Sequence, residues 1–388
     1  MGVEMRVATD DDWPAMERLD SRIFGAVASE QAQAGLRAVA DTSRFRLATD
    51  GGTLVGIAGS FAFDMTMPGG ATVPTAGVTW VSVAVTHRRQ GLLGRLMDAV
   101  HADADGRGEP LAALTASEGG IYERFGYGIA TRSRVTTIAR HRAALRSEFV
   151  STSRQVRLVE PLDALPDLMA RWDRYRLTRA GEVGRSEAWW RWMIGDLGEN
   201  TVWVMHPDGF TCWTLEGKWY DGHPAHDMML GPIVALTPDA HAALWQTVFG
   251  ADLVGTITSR RVALDDPLPQ LLVDQRALRT TDLNDGVWCH PRDVARCFGV
   301  RTQWGTDDDV VVEADDARWR LGGGGATKVR SKPDLVTNRA GLGTLLLGGA
   351  APTTLAAGRR LSARSPEALR RADALFVIHP EPHCVTGF

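Results

Sequence analysis

Residues 80–97 have the sequence Trp80-Val81-Ser82-Val83-Ala84-Val85-Thr86-His87-Arg88-Arg89-Gln90-Gly91-Leu92-Leu93-Gly94-Arg95-Leu96-Met97. The segment begins within a β-branched run, residues 78–85, that is apolar on both faces and predicts a strand inside a covered sheet. Apolar residues then recur with helical spacing over residues 91–104. The segment therefore predicts a buried strand that passes through a basic turn into the start of a helix.

Such a turn is suited to binding an anion. Unpaired backbone amides converge at a helix start, and the helix dipole favours negative charge there. Arg88 and Arg89 add flanking positive charge, and Gly91 lets a diphosphate approach the backbone without a Cβ in the way. A Walker loop is excluded because no Gly-Lys-Ser/Thr follows, and a dinucleotide fingerprint is absent. The alternative is an ordinary turn with exposed arginines.

The residues around this segment predict an α/β sandwich of about 135 residues. Polar residues 9–12, followed by Trp13-Pro14, predict a helix start, and that helix extends toward Phe24. Two apolar runs, residues 45–48 and 54–63, flank Asp50-Gly51-Gly52 and predict a hairpin. Another strand is predicted over residues 111–116.

The rest of the chain predicts two further units. A strand over residues 231–236 leads through Thr237 into a helix that reaches Phe249, which echoes the first unit and suggests a duplicated fold. Pro238 and Asp239 at this second turn remove an amide and add a negative charge, so this copy should not bind the anion. From residue 284, strands near 310–312, 319–321 and 327–329 and helices over 339–347 and 365–375 predict an α+β domain with an extended tail from His379.

Composition narrows the class of protein. A length of 388 residues favours two or three domains, and a net charge of −4 with a pI near 6.2 gives no footprint for nucleic acid. The sequence has no run of 18 apolar residues, no apolar core of a secretory signal and only four irregularly spaced cysteines. We therefore expect a cytoplasmic protein without a membrane or nucleic-acid partner.

A second motif follows the predicted strand over residues 111–116: Ser117-Glu118-Gly119-Gly120-Ile121-Tyr122-Glu123-Arg124-Phe125-Gly126-Tyr127-Gly128. A tyrosine at the end of the strand next to the anion-binding turn can protonate a leaving group as a general acid. The alternative is a structural aromatic residue in a glycine-rich turn.

The turn at residues 88–93 resembles the acyl-CoA loop of the GNAT superfamily of N-acetyltransferases, with Arg88 and Gly91 in two of the motif positions. Leu93 departs from the Gly or Ala of the third position, although Gly94 follows it. The resemblance implies acetyl-CoA as cosubstrate and no metal. The residues that it implies for binding acetyl-CoA are Val81, Ser82, Val83, Arg88, Arg89, Gln90, Gly91, Leu92, Leu93 and Gly94.

The whole chain is similar to the Eis (enhanced intracellular survival) family of acetyltransferases. The similarity lies in the motif at residues 115–128, Thr86-His87-Arg88-Arg89, Asp11-Asp12-Trp13-Pro14 and the terminal phenylalanine. It implies an α+β chain with a catalytic GNAT domain over 1–139, a non-catalytic GNAT-like domain over 140–283 and a sterol-carrier-protein-like domain over 284–388. It also implies a homohexamer.

The same resemblance implies direct acetyl transfer to an amine, with Tyr122 as general acid and the C-terminal carboxylate of Phe388 as general base. The acceptor is then a small-molecule or lysine amine, such as an aminoglycoside, a polyamine or a lysine peptide. The chain departs from the family at three positions: Gly387 and Ala26 stand where other members have acidic residues, and Thr115 where a histidine can occur. Aminoglycoside or polyamine acetylation is therefore less firmly implied than amine acetylation in general.

Other candidate features favour structural roles. His290 with Cys289 and Cys297, and His379 with His383 and Cys384, lack the paired spacing of a zinc site. A tryptophan cluster at residues 189, 190 and 192 favours core or interface packing over a ligand cavity. The alternative function is a non-catalytic acyl-CoA or lipid binder that uses the cavity of the third domain, and the retention of Arg88, Gly91 and Tyr122 argues against it.

Overall fold

The computed structural model describes residues 2–25, 29–150 and 155–388. Its strands are β1 (Glu4–Val7), β2 (Arg46–Asp50), β3 (Thr53–Thr66), β4 (Thr72–Val83), β5 (Leu111–Thr115), β6 (Gly128–Ile129), β7 (Arg132–Ala139), β8 (Arg157–Leu158), β9 (Val202–His206), β10 (Gly209–Glu216), β11 (Trp219–Tyr220), β12 (His223–Pro224), β13 (His226–Leu230), β14 (Val234–Ala235), β15 (Val254–Val262), β16 (Leu278–Asp285), β17 (Val287–Pro291), β18 (Asp309–Ala314), β19 (Ala317–Gly322), β20 (Gly325–Lys328), β21 (Leu335–Val336) and β22 (Ser362–Ala363). Its helices are α1 (Trp13–Phe24), α2 (Glu30–Val39), α3 (Leu92–Gly106), α4 (Leu165–Arg176), α5 (Glu187–Leu197), α6 (Pro238–Phe249), α7 (Leu268–Leu271), α8 (Val294–Gly299), α9 (Arg339–Leu346), α10 (Pro352–Ala357) and α11 (Pro366–Phe376).

The first sheet has seven strands in the order β1-β2-β3-β4-β5-β17-β6. The predicted hairpin is β2–β3, the predicted buried strands are β4 and β5, and the predicted first helix is α1. Gly51 and Gly52 adopt positive φ in the turn between β2 and β3, which glycine tolerates without strain. Helix α3 packs on one face through Leu92, Leu96 and Met97, and α1 packs on the other face through Trp13 and Met16, among other residues.

Strands β4 and β5 separate at their carboxyl ends. Their parallel pairing covers three positions and ends at Gly77 opposite Ala113, although both strands continue beyond it. Strand β4 also carries a bulge, since the four residues from Thr79 to Ser82 lie opposite the three from Ile57 to Gly59 on β3. Trp80 within the bulge has φ 53°. The result is an opening between two adjacent strands of a covered sheet.

The second sheet has eight strands in the order β16-β7-β15-β13-β10-β9-β8 with β14 beside β10. Strand β13 runs parallel to β15 and the helix α6 connects them, which repeats the arrangement of β4, α3 and β5. The duplication inferred from the sequence is thus present. The strand predicted over residues 231–236 is wrong for most of its length: the parallel strand is His226–Leu230, and only Val234–Ala235 pair, because Pro232 has no amide to donate.

Two strands lie in a sheet other than that of the unit to which their sequence position assigns them. β7, which lies before residue 140, belongs to the second sheet between β15 and β16. β17, which lies after residue 283, inserts into the first sheet between β5 and β6. The boundaries at residues 139 and 283 remain proposals, and a contiguous cut at either place separates a strand from its sheet.

The third unit contains a five-stranded sheet in the order β20-β19-β18-β21-β22. The hairpin turn at Gly322 to Gly325 and the two predicted helices, now α9 and α11, are present. Leucines of α9 (Leu342, Leu345 and Leu346) share one core cluster with Cys289 of β17. After α11 the chain is extended and returns toward the first two sheets.

The tryptophan cluster at residues 189, 190 and 192 packs against other aromatic residues, as the sequence predicts. Trp189 packs edge-on against Phe61 and Phe63, and Trp190 packs against Trp172.

Within the described ranges, no helix is both long and apolar enough to cross a membrane.

Candidate active site

The basic turn forms an open anion-binding surface at the start of α3. Gly91 is the N-cap of the helix with φ 75°, a left-handed conformation that favours glycine, and Arg89 also has positive φ. A Cβ built on Gly91 or Gly94 meets nothing within 4 Å, so both face open space. Arg88, Arg89 and Gln90 are exposed. This turn therefore has the shape and charge that a diphosphate requires.

The two duplicated helices differ at their first turns. No side chain caps α3, so its orphan amides are left for a ligand. At the start of α6 the Thr237 hydroxyl accepts a hydrogen bond from the amide of Ala240, and Pro238 has no amide. The contrast supports the prediction that only the first copy binds the anion.

A cavity of about 720 Å³ occupies the opening between β4 and β5. It is lined by Val78 to Val81 of β4 and by Leu114 to Ser117 at the end of β5. Tyr122 and Phe388 also line it, although 266 positions separate them in the sequence. The two residues predicted for catalysis therefore lie in one cavity, beside the strand predicted to bind the cosubstrate.

Tyr122 differs from the second tyrosine of its motif. It is 5% exposed at the cavity wall, and burial raises the pKa of its phenol, an effect that a hydrogen bond with Ser117 partly offsets. Tyr127 is fully buried and its hydroxyl lies 2.8 Å from Nε2 of His101. Because the Tyr122 phenol stays protonated at neutral pH and faces the cavity, it has a proton to give to a bound leaving group.

Phe388 is anchored at both its ring and its carboxylate. The ring packs against Phe63 with centroids 4.9 Å apart. The Thr115 hydroxyl donates a hydrogen bond of 2.6 Å to the carboxylate. Thr115 stood out in the sequence only as a departure from the family; in the structure its hydroxyl holds the end of the chain.

The tail that ends at Phe388 is fastened along its length to the second unit. The amide of Glu381 donates to Asp265 (2.9 Å), and Arg179 donates to the carbonyl of Glu381 (2.9 Å). The amide of His383 donates to the carbonyl of Ala180 (2.8 Å). The tail is thus held by hydrogen bonds in the way that a strand is, although it pairs with a loop.

Two buried charged side chains complete this attachment. Glu182 is 0% exposed and accepts a 3.1 Å hydrogen bond from the amide of Val385. Burial raises the pKa of Glu182 to about 7, and the Arg185 guanidinium partly opposes the rise. Arg185 stacks on Trp172 and donates to the Thr386 hydroxyl at 2.9 Å. These residues lie away from the cavity but determine where the last residues of the tail lie.

Sequence reasoning missed Asp20, an acidic residue in the cavity. Asp20 lies on α1, half-buried, and it lines the cavity together with Tyr122 and Phe388. Burial raises its pKa to about 6, and the nearby Ser82 hydroxyl partly counters this. Asp20 lies four residues after Met16, on the face of α1 that packs on the sheet. An acidic residue on this otherwise apolar face was the sequence signal that could have identified it.

The remaining candidates have structural roles. Cys289, Cys297 and Cys384 are buried free thiols whose pKa burial raises. In the part of the chain that the structure describes, no group of three or more His, Cys, Asp or Glu is placed to hold a metal ion. Ala26, one of the three departures from the family, lies outside the described residues.

Three parts of the chain match known protein families. Residues 4–130 and residues 181–296 each match a family described as an acetyltransferase (GNAT) domain, and residues 307–385 match a sterol carrier protein domain. The chain is 32% identical to N-acetyltransferase Eis of Mycobacterium tuberculosis, with 97% of each chain covered. The chain belongs to the Eis family of N-acetyltransferases.

Further relatives agree with this assignment. An uncharacterized N-acetyltransferase of Streptomyces avermitilis is 34% identical over the full length of both chains. The crystal structure of Eis1 from Mycobacterium abscessus superposes with a TM-score of 0.88 at 31% identity, again over the full length of both. This chain is an N-acetyltransferase with two GNAT domains and a sterol carrier protein domain, and GNAT acetyltransferases use acetyl-CoA as acetyl donor.

Proposed function

We propose that this enzyme transfers the acetyl group of acetyl-CoA directly to a primary amine within the 720 Å³ cavity. The observation that carries the proposal is the convergence of Tyr122, Phe388 and the separated end of β4 on that one cavity. Acceptors in this proposal are small-molecule or lysine amines, with aminoglycosides, polyamines and lysine peptides as the classes to test. A homohexamer, which the family resemblance implies, is also a proposal.

In this proposal acetyl-CoA extends from the α3 turn to the cavity. The amides at residues 91–94 and the guanidiniums of Arg88 and Arg89 would bind the diphosphate. The thioester would then lie along Val81 to Val83, whose backbone amides would polarise its carbonyl and stabilise the oxyanion. The β4 bulge and the loss of pairing beyond Gly77 support this placement, because they free backbone groups toward the cavity.

The reaction needs one base and one acid. The Phe388 carboxylate takes a proton from the acceptor ammonium, and the free amine attacks the thioester carbon to form the C–N bond. The tetrahedral intermediate loses the second proton of its nitrogen to solvent and collapses with cleavage of the C–S bond. Tyr122 donates its proton to the leaving sulfur, and the Phe388 carboxyl releases its proton to solvent. Solvent then reprotonates the tyrosinate. The buried cysteines, including Cys384 in the cavity wall, have thiol pKa values that burial raises, which supports direct transfer over an acyl-enzyme.

The proton transfer to Phe388 requires a favourable environment. Reference pKa values of about 3.5 for the carboxylate and about 10 for an amine place this transfer about 9 kcal/mol uphill. The proposed mechanism therefore requires the cavity to desolvate the carboxylate, because a desolvated carboxylate binds a proton more tightly.

The test is a thiol-release assay with acetyl-CoA and a panel of amines. Tyr122→Phe should keep acetyl-CoA affinity and lower kcat by a factor of 10² to 10⁴, the usual contribution of general acid catalysis. Extension of the chain beyond Phe388 by two residues should abolish turnover, and an extension that ends in a new phenylalanine controls for the loss of the aromatic end. Unchanged turnover in Tyr122→Phe would remove that residue from the mechanism, and a fully active extended chain would refute the terminal base.

A further inference from the structure

Asp20 has a carboxylate without an ion-pair partner in the part of the chain that the structure describes. Asp20 is half-buried on α1, and the influences on its pKa are burial and the Ser82 hydroxyl, with no contribution from a positive charge. Among the described residues, it forms no ion pair. A half-buried carboxylate without a counter-ion is unfavourable in the free protein, and a cation that enters the cavity relieves this.

Neither of the two arginines that line the cavity is among the influences on the pKa of Asp20. Arg260 and Arg261 belong to β15 of the second unit and line the same cavity. Arg261 donates to the carbonyl of Val385 at 3.3 Å and lies against Gly387. It is therefore committed to the tail, and Asp20 on α1 remains available to a ligand.

The register of the first sheet gives the spacing between Asp20 and the terminal carboxylate. Gly77 pairs with Ala113, so Thr115, which holds Phe388, lies level with Thr79 on β4. Ser82, beside Asp20, lies three residues further along β4. The β4 bulge fits these three steps against two steps of β3, so with about 3.3 Å per residue the two carboxylates are roughly 7 to 10 Å apart. That distance leaves room for a spacer of several methylene groups between two ammonium groups.

We propose that Asp20 binds a second, non-reacting ammonium group of the acceptor and so makes the enzyme select diamines over monoamines of equal length. This inference rests on the proposed function, because it assumes that the reacting amine lies between Tyr122 and Phe388. Asp20 then supplies the acidic side chain that residues 26 and 387 lack in this chain. It is a specificity-determining residue and takes no part in proton transfer.

The test compares pentane-1,5-diamine with pentylamine, which have equal chain length and differ in the second amino group. The wild-type enzyme should acetylate the diamine with the higher kcat/KM. Asp20→Asn, which keeps the size and hydrogen-bonding capacity of the side chain, should lower kcat/KM for the diamine by ten- to a hundredfold, the usual effect of one charge-assisted hydrogen bond. It should leave kcat/KM for pentylamine within about twofold.

Asp98→Asn is the matched control, because Asp98 is an exposed carboxylate on α3 that is not among the residues lining this cavity, so both rates should stay unchanged. Calorimetric titration with the diamine should show the same loss of affinity in Asp20→Asn without dependence on turnover. Equal losses for both amines, or no loss for the diamine, would overturn the role of Asp20. Absence of thiol release from the wild-type enzyme with every amine would instead refute the proposed function. The calorimetric titration would still test whether Asp20 binds the diamine.

Discussion

Replacement of Glu182 by glutamine should change how the stability of the protein depends on pH. Glu182 is fully buried and its pKa is raised from 4.5 to about 7. The folded state therefore holds this proton more tightly than the unfolded state. The stabilisation is fully present below pH 4.5 and is lost as the pH rises to 7, because deprotonation then leaves a charge in a desolvated site.

The size of the effect follows from the shift. A rise from 4.5 to about 7 corresponds to about 3 kcal/mol of unfolding free energy. Glutamine resembles the protonated carboxyl, so Glu182→Gln and wild type should have similar stability at pH 4.5. At pH 8 the variant should be more stable by up to about 3 kcal/mol, with its advantage gained between those values.

The assay is chemical denaturation of both proteins from pH 4.5 to 8, and the difference between them at each pH isolates this one group. Glu187→Gln is the control, since Glu187 is exposed and its replacement should show no such trend. Glutamine also keeps an acceptor for the amide of Val385, so turnover should be retained, whereas Glu182→Leu should lose it. A stability difference that stays constant across the pH range would refute this reasoning.

Two further predictions concern the carboxylate and the anion-binding turn. Thr115→Val removes the donor to Phe388 and should lower kcat about tenfold with acetyl-CoA affinity unchanged, while Thr115→Ser should retain activity; equal loss in both variants would contradict the role of the hydroxyl. Gly91→Ala places a Cβ at a residue with φ 75° in the open space of the turn and should weaken acetyl-CoA binding about tenfold or more, which titration with CoA measures. Gly106→Ala, at the other end of α3, is the control and should bind normally; normal binding by Gly91→Ala would exclude a diphosphate at this turn.

Much of the fold could be predicted because its signals are local. Helical spacing at Leu92, Leu96 and Met97, the glycines of the first hairpin and the proline at the start of α6 act through neighbouring residues of the chain. The anion-binding turn belongs to this class as well, since strand, glycine and helix start are contiguous. The strand before α6 was misplaced because residues 231–236 have strand-like composition while pairing is decided by partners elsewhere in the sheet.

The sequence alone determined the repeated strand-helix-strand units, the open first turn of α3 beside the capped first turn of α6, and the tyrosine motif that follows β5. Only the tertiary structure decided that Phe388 meets Thr115 and that Glu182 and Arg185 hold the tail. It alone also decided that Asp20 lines the same cavity as Phe388. The first set depends on interactions between residues a few positions apart. The second depends on the closure of sheets and the exchange of strands between units, which bring together residues hundreds of positions apart and leave no periodic trace in the chain.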